Sequence, residues 1–261
     1  MSALQSPDSS CPHLDQAPLQ VARTSTWGAI LFAMCFPGVM ACIYFVLLPR
    51  LDLGSGAKVV VAVAYTASKI IQFAFPLFWV ICVERRRLSF ARPGTGGWRL
   101  GLAFGLVVAM LIWVLYLGVF KNSALLASTP AMVHNKMSQF QIDTPGRYLL
   151  FTLFLAGFHS LMEEYYWRWF VFRELRQRIG VWPANVLSSL AFMAHHVVIL
   201  AAFLPERFWS AVVPFSLGVA VGGGMWAWIY QRTQSLYAAW ISHLLIDAAI
   251  LAVGYDMVFV G

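Results

Sequence analysis

Seven stretches of the chain, approximately 27–48, 59–83, 100–120, 148–172, 184–204, 208–230 and 236–254, are continuous apolar runs. Each is long enough to cross a hydrocarbon core of about 30 Å, which takes roughly 20 helical residues. Few folds are open to such a chain. Lipid offers no partner to a bare N–H or C=O group, so spanning segments must be helices or a closed barrel. The runs lack the two-residue alternation of barrel strands. The expected fold is therefore all-α, a polytopic transmembrane helix bundle of about seven spans. Composition agrees: of 261 residues, 60% are hydrophobic and only 11% charged, and the mean hydropathy is +0.72. A soluble domain carries about a quarter charged residues, so a cytosolic globular protein and a disordered one are both excluded.

Residues 1–26 hold Ser, Pro, Asp and Gln but no apolar core and no small-residue cleavage site. They read as a disordered N-terminal tail rather than a signal peptide, leaving 27–261 as a single transmembrane domain. The four cysteines, Cys11, Cys35, Cys42 and Cys82, show no paired spacing and imply neither a disulfide nor a zinc cluster.

The net charge of +7 belongs to topology rather than to nucleic acid, because the basic residues are scattered between apolar runs and make no continuous face. One set of loops holds Arg23, Arg85, Arg86, Arg87, Arg92, Arg99, Arg173, Arg176, Arg178 and Arg232. The other holds Arg50, Lys58, Lys121, Lys136, Arg147 and Arg207. The denser set marks the cytoplasmic side, which places the N-terminus in the cytoplasm of a cell-membrane, multi-pass protein. Two spans carry small-residue spacing, Gly101-x3-Gly105 and Gly218-x3-Gly222, of the kind that lets helices approach closely in lipid. No internal repeat supports an inverted-repeat transporter.

The distribution of ionisable residues is the chemical signal. Spans one, three and six have none, and span two has only Lys69, which reads as a snorkelling or structural group. Span four has His159, Glu163, Glu164 and Arg168, span five His195 and His196, and span seven His243 and Asp247. A charge at the bilayer centre costs at least ~2.5 kcal/mol, so groups confined to three helices should face one another. At 1.5 Å of rise per residue Glu163, His196, His243 and Asp247 all lie between ~10 and ~18 Å from the cytoplasmic end.

Glu164 and Arg168 are i,i+4 neighbours able to pair, as are His243 and Asp247. Glu163 and Glu164 point about 100° apart and should not share one pairwise contact. The expected division is that Glu164 is held by Arg168 while Glu163 is free to act as a general base. His159, four residues before Glu163, can touch it or bond to another helix. Of the adjacent His195 and His196 only one should point into a given pocket.

Glu163-Glu164-Tyr165-Tyr166-Trp167-Arg168 fits the pattern EExxxR, Phe192-Met193-Ala194-His195-His196 fits FxxxH, and His243-Leu244-Leu245-Ile246-Asp247 fits HxxxN/D. In order and separation they resemble the CAAX protease and bacteriocin-processing family of glutamic-type intramembrane endopeptidases, over roughly 148–250, with 148–254 as the catalytic core. The resemblance implies that Glu163 and His196 activate a water, that His243 and Asp247 stabilise the oxyanion, and that Glu164 and Arg168 hold the site in shape. It implies no metal or other cofactor, and a membrane-associated protein or peptide as substrate. Asp247 stands where eukaryotic members carry Asn, which can donate a hydrogen bond where an ionised Asp cannot. The alternatives are a zinc-dependent membrane hydrolase, a proton-coupled transporter, and a non-catalytic membrane binding protein of the same fold; a buried polar network that only glues helices is the bland one.

Overall fold

The structure is a computed structural model and describes residues 17–51, 57–88, 90–123, 126, 129–139 and 141–260. Residues 1–16, most of the expected tail, lie outside the described residues. Among those described there is no strand, and the fold is a polytopic all-α bundle. Its α-helices are α1 (Ala17–Cys42), α2 (Ala57–Phe78), α3 (Thr95–Leu115), α4 (Thr129–Gln139), α5 (Pro145–Leu153), α6 (Ser160–Glu164), α7 (Arg173–Ile179), α8 (Val181–Phe203), α9 (Val213–Thr233) and α10 (Leu236–Tyr255). α1 starts inside the segment expected to be tail.

Among the described residues, six helical stretches are long and apolar enough to cross a membrane: Thr26–Arg50, Val59–Val83, Thr95–Phe120, Val181–Phe203, Pro205–Thr233 and Leu236–Val260. The fourth expected span is built differently. It runs from α5 through α6 to α7, and wider π-helical segments, Phe154–His159 and Tyr165–Phe172, flank the five residues of α6. Such π segments often sit at functional sites. Glu163, Glu164 and Arg168 place three charged side chains near the middle of this stretch.

Contacts at both ends show that this stretch traverses the bundle. At its start, Tyr148 donates its O–H to the Leu251 carbonyl, 2.8 Å away, near the end of α10. Beside it Asp256 accepts from Tyr116 and Lys121, both at 2.7 Å. At the far end, the buried Glu174 pairs with Arg86 from the loop after α2 and with Arg178. Ser235 there donates to the Ala91 carbonyl at 2.7 Å. The turn from α7 into α8 is made at Gly180, whose φ of 83° excludes most side chains.

Every residue from Tyr165 to Phe172 is buried, because the segment packs against α1, α2, α8, α9 and α10. Hydroxyl bonds pin it: Tyr166 donates to the Ala33 carbonyl at 2.7 Å and Tyr165 to that of Phe73 at 3.2 Å. The outward faces are apolar, as lipid requires, and Trp182 and Trp209, 74% and 81% exposed, stand near opposite ends like the aromatic belts of membrane proteins.

One glycine pair does what its spacing suggested. A Cβ at Gly101 would collide with the Ala238 carbonyl, and one at Gly105 would lie 2.9 Å from the Ser242 Cα, so α3 rests backbone to backbone on α10. The other pair does not. Among the described residues nothing approaches a Cβ at Gly218, and Gly222 meets only Trp226 of its own helix. Gly223 and Gly224 make the close approach to α8 instead, a rotation of one residue, or about 100°, around α9.

Candidate active site

The polar residues of α6, α8 and α10 meet in one buried cluster. Glu163 stands at its centre: its Oε1 lies 3.4 Å from His159 Nε2 and 3.8 Å from His195 Nε2, and its Oε2 lies 3.7 Å from His243 Nε2. Glu163, His195 and His196 each present a ligand-type atom, and these atoms lie within 4.8 Å of one another. A single atom placed centrally among three groups at that outer spacing is about 2.8 Å from each, a hydrogen-bond distance.

His196 is oriented by its own helix. Its Nδ1 lies 3.0 Å from the Phe192 carbonyl, one turn back. A carbonyl only accepts, so Nδ1 carries the proton and Nε2 keeps its lone pair. His195 is more deeply buried and stacks parallel to Trp167, centroids 5.8 Å apart. The expectation that only one of the two histidines reaches the pocket does not hold: their rings are 4.2 Å apart and both approach Glu163.

Glu164, fully buried, points to a different side. Its Oε1 accepts from His243 Nδ1 at 2.8 Å and pairs with Arg168 Nη1 at 3.1 Å. His243 Nε2 is in turn 3.5 Å from Asp247 Oδ2. The imidazole thus touches both adjacent glutamates, through nitrogens on opposite edges of the ring. This is how two carboxylates that diverge by about 100° still converge on one partner.

Two features of the site had no signal in the sequence. Trp226 lies face to face with His243, centroids 3.8 Å apart and planes 15° apart, and so fixes the plane of that ring. It comes from α9, whose expected span had no ionisable residue to draw attention to it. The Arg168 guanidinium sits over Phe192 and Trp226, at 4.6 and 5.1 Å, and donates from Nη2 to the Gly223 carbonyl at 3.2 Å. A Cβ at Gly223 would come 3.3 Å from that nitrogen, so the glycine makes room for the cation. Arg168 is 2% exposed and does not snorkel.

Lys69 stands apart from the cluster. Its ammonium donates to Gln72 at 3.2 Å and lies 5.7 Å from the ring centres of Tyr65 and Phe73. The Phe73 ring meets His159 edge-on, 6.2 Å away.

A buried carboxylate ringed by imidazoles, inside an all-α multi-pass membrane bundle, defines a class of intramembrane polar site suited to proton transfer and water-mediated chemistry. Residues 145–249 match the model of the family described as type II CAAX prenyl endopeptidase Rce1-like, the same family that the three motifs resemble. Over these residues the multi-pass membrane bundle is similar to that family. No curated protein and no solved structure matches the chain.

Proposed function

We propose that this chain is an intramembrane endopeptidase that hydrolyses a peptide bond near a membrane-associated segment of its substrate. The convergence of Glu163, His195 and His196 carries the reading, because it supplies a general base and a cradle for one water in a layer from which bulk solvent is excluded. Glu163 takes a proton from that water while His196 Nε2 holds it, and the water oxygen attacks the scissile carbonyl carbon. The resulting oxyanion accepts a hydrogen bond from Nε2–H of His243 held as the imidazolium, with both ring nitrogens protonated between Glu164 and Asp247. Glu164 fixes that ring through Nδ1, and Asp247 lies within reach of the same edge. Glu163 then returns its proton to the leaving amine as the C–N bond breaks.

The remaining residues position these. Arg168 neutralises Glu164 and leaves Glu163 free for chemistry. The domain acts as a single unit, 27–261, with its chemistry in 148–254. The end bearing Arg86, Arg173, Arg176 and Arg178 faces the cytoplasm, as does the N-terminus, since loops dense in Arg are retained there. Cysteines introduced at Gly96 and Gln177 should resist an impermeant thiol reagent in intact cells, and one at Ser138 should react; the opposite pattern would reverse the orientation.

The spacing of Glu163, His195 and His196 also favours a second reading, in which the three hold a divalent cation that polarises the water. Cleavage of an S-prenylated CAAX peptide by the purified protein, with and without a chelator, tests both. Activity that survives chelation supports the metal-free route, and activity lost and restored by zinc supports the other. No cleavage in either condition refutes hydrolysis of that peptide.

A further inference from the structure

Lys69 lies ten residues into the apolar stretch Val59–Val83, about 15 Å from its nearer end at 1.5 Å per residue. Elsewhere in the bundle Arg168 pairs with Glu164 and Asp256 with Lys121. Among the described residues, Lys69 makes no ion pair within 4 Å. Its hydrogen bond to the neutral Gln72 uses one of three donors. It is half-buried, so the remaining N–H groups are not sealed in the core. An unpaired ammonium at that depth is costly unless it meets an anion or water.

Its place relative to the chemistry narrows what that anion is. Lys69 packs on Phe73, Phe73 packs on His159, and His159 contacts Glu163, so one aromatic ring separates the ammonium from the catalytic cluster. A phospholipid phosphate stays at the headgroup layer, well above this depth, whereas a peptide laid across Glu163 brings its own groups to it.

We infer that Lys69, with Gln72 beside it, is a specificity-determining residue that binds a carboxylate of the peptide substrate. The inference rests on the endopeptidase reading of the Glu163 site. Two sources offer this chemistry, the α-carboxylate at the end of a peptide and an acidic side chain. Either forms a charge-assisted hydrogen bond with the ammonium.

Binding separates this claim from catalysis. The probes are a fluorescent S-prenylated CAAX tetrapeptide as free acid, the same peptide as C-terminal amide, and an amide whose last residue is Asp. Affinities are measured by anisotropy in lipid nanodiscs on Glu163→Gln protein, which holds substrate without turnover, and on the same protein carrying Lys69→Met or Lys69→Arg. The free acid should bind at least about tenfold more tightly than the amide when Lys69 is present. Lys69→Met should erase that preference and Lys69→Arg should keep most of it. Tight binding of the Asp-bearing amide would make a side chain a sufficient source, and weak binding would assign the α-carboxylate. Equal affinity for acid and amide, binding of neither, or a preference that survives Lys69→Met overturns the inference. Hydrolysis by the wild type is scored separately. A Lys69-dependent preference without cleavage refutes hydrolysis of that peptide and leaves carboxylate recognition standing.

Discussion

On α3 the side chains Leu106, Val107, Met110, Leu111 and Val114 are all more than half exposed, whereas from Tyr165 to Phe172 every side chain is buried. The first segment is apolar toward lipid and contributes chiefly through its backbone. The second carries Arg168 and is enclosed by five helices. Lipid supplies no hydrophobic force between helices, so α3 is held by close packing at Gly101 and Gly105. That packing sets α3 against Ser242 of α10, the residue before His243. The lipid-facing segment therefore helps to place His243.

The comparison can be broken at several points. His196→Ala should lower peptide hydrolysis by about 10²–10⁴-fold, the usual contribution of one acid–base group. His195→Ala should cost about tenfold, since its ring contacts Glu163 but lacks the fixed tautomer of His196; initial rates on matched preparations measure both. Equal losses would mean that the two rings share one role. Gly101→Leu should destabilise the bundle by about 1–3 kcal/mol, as overpacking does, read as a lower melting temperature in detergent. Leu106→Ala, on the lipid side of the same helix, should stay within about 0.5 kcal/mol. If both α3 substitutions are tolerated alike, the glycine contact does not position α10.

Hydropathy made the helical class legible, because spans of this length in lipid have almost no alternative. Motif spacing made the cluster legible: His159–Glu163, Glu164–Arg168 and His243–Asp247 all meet within their own stretches, at 3.4, 3.1 and 3.5 Å. What spacing within one helix cannot show is which face turns toward another helix. Hence the Trp226 stack on His243, the use of Gly223 rather than Gly218, and the approach of both His195 and His196 to Glu163 emerged only in three dimensions. The fourth expected span was legible as an apolar run, but its π-helical segments were not, because widening a turn depends on neighbours from five other helices rather than on local composition.

The sharpest contrast lies between two adjacent residues. Glu163 faces the imidazoles of His159, His195 and His243, while Glu164 is bound to Arg168 and His243 with no exposure at all. Removing one partner of a buried ion pair costs about 3–5 kcal/mol. Purified Glu163→Gln and Glu164→Gln proteins should therefore be compared for both hydrolysis of a prenylated peptide and thermal unfolding. The account predicts that Glu163→Gln loses activity by about 10²–10⁴-fold with its melting temperature unchanged, and that Glu164→Gln unfolds well below the wild type. A stable, inactive Glu164→Gln beside an active or unfolded Glu163→Gln would contradict it.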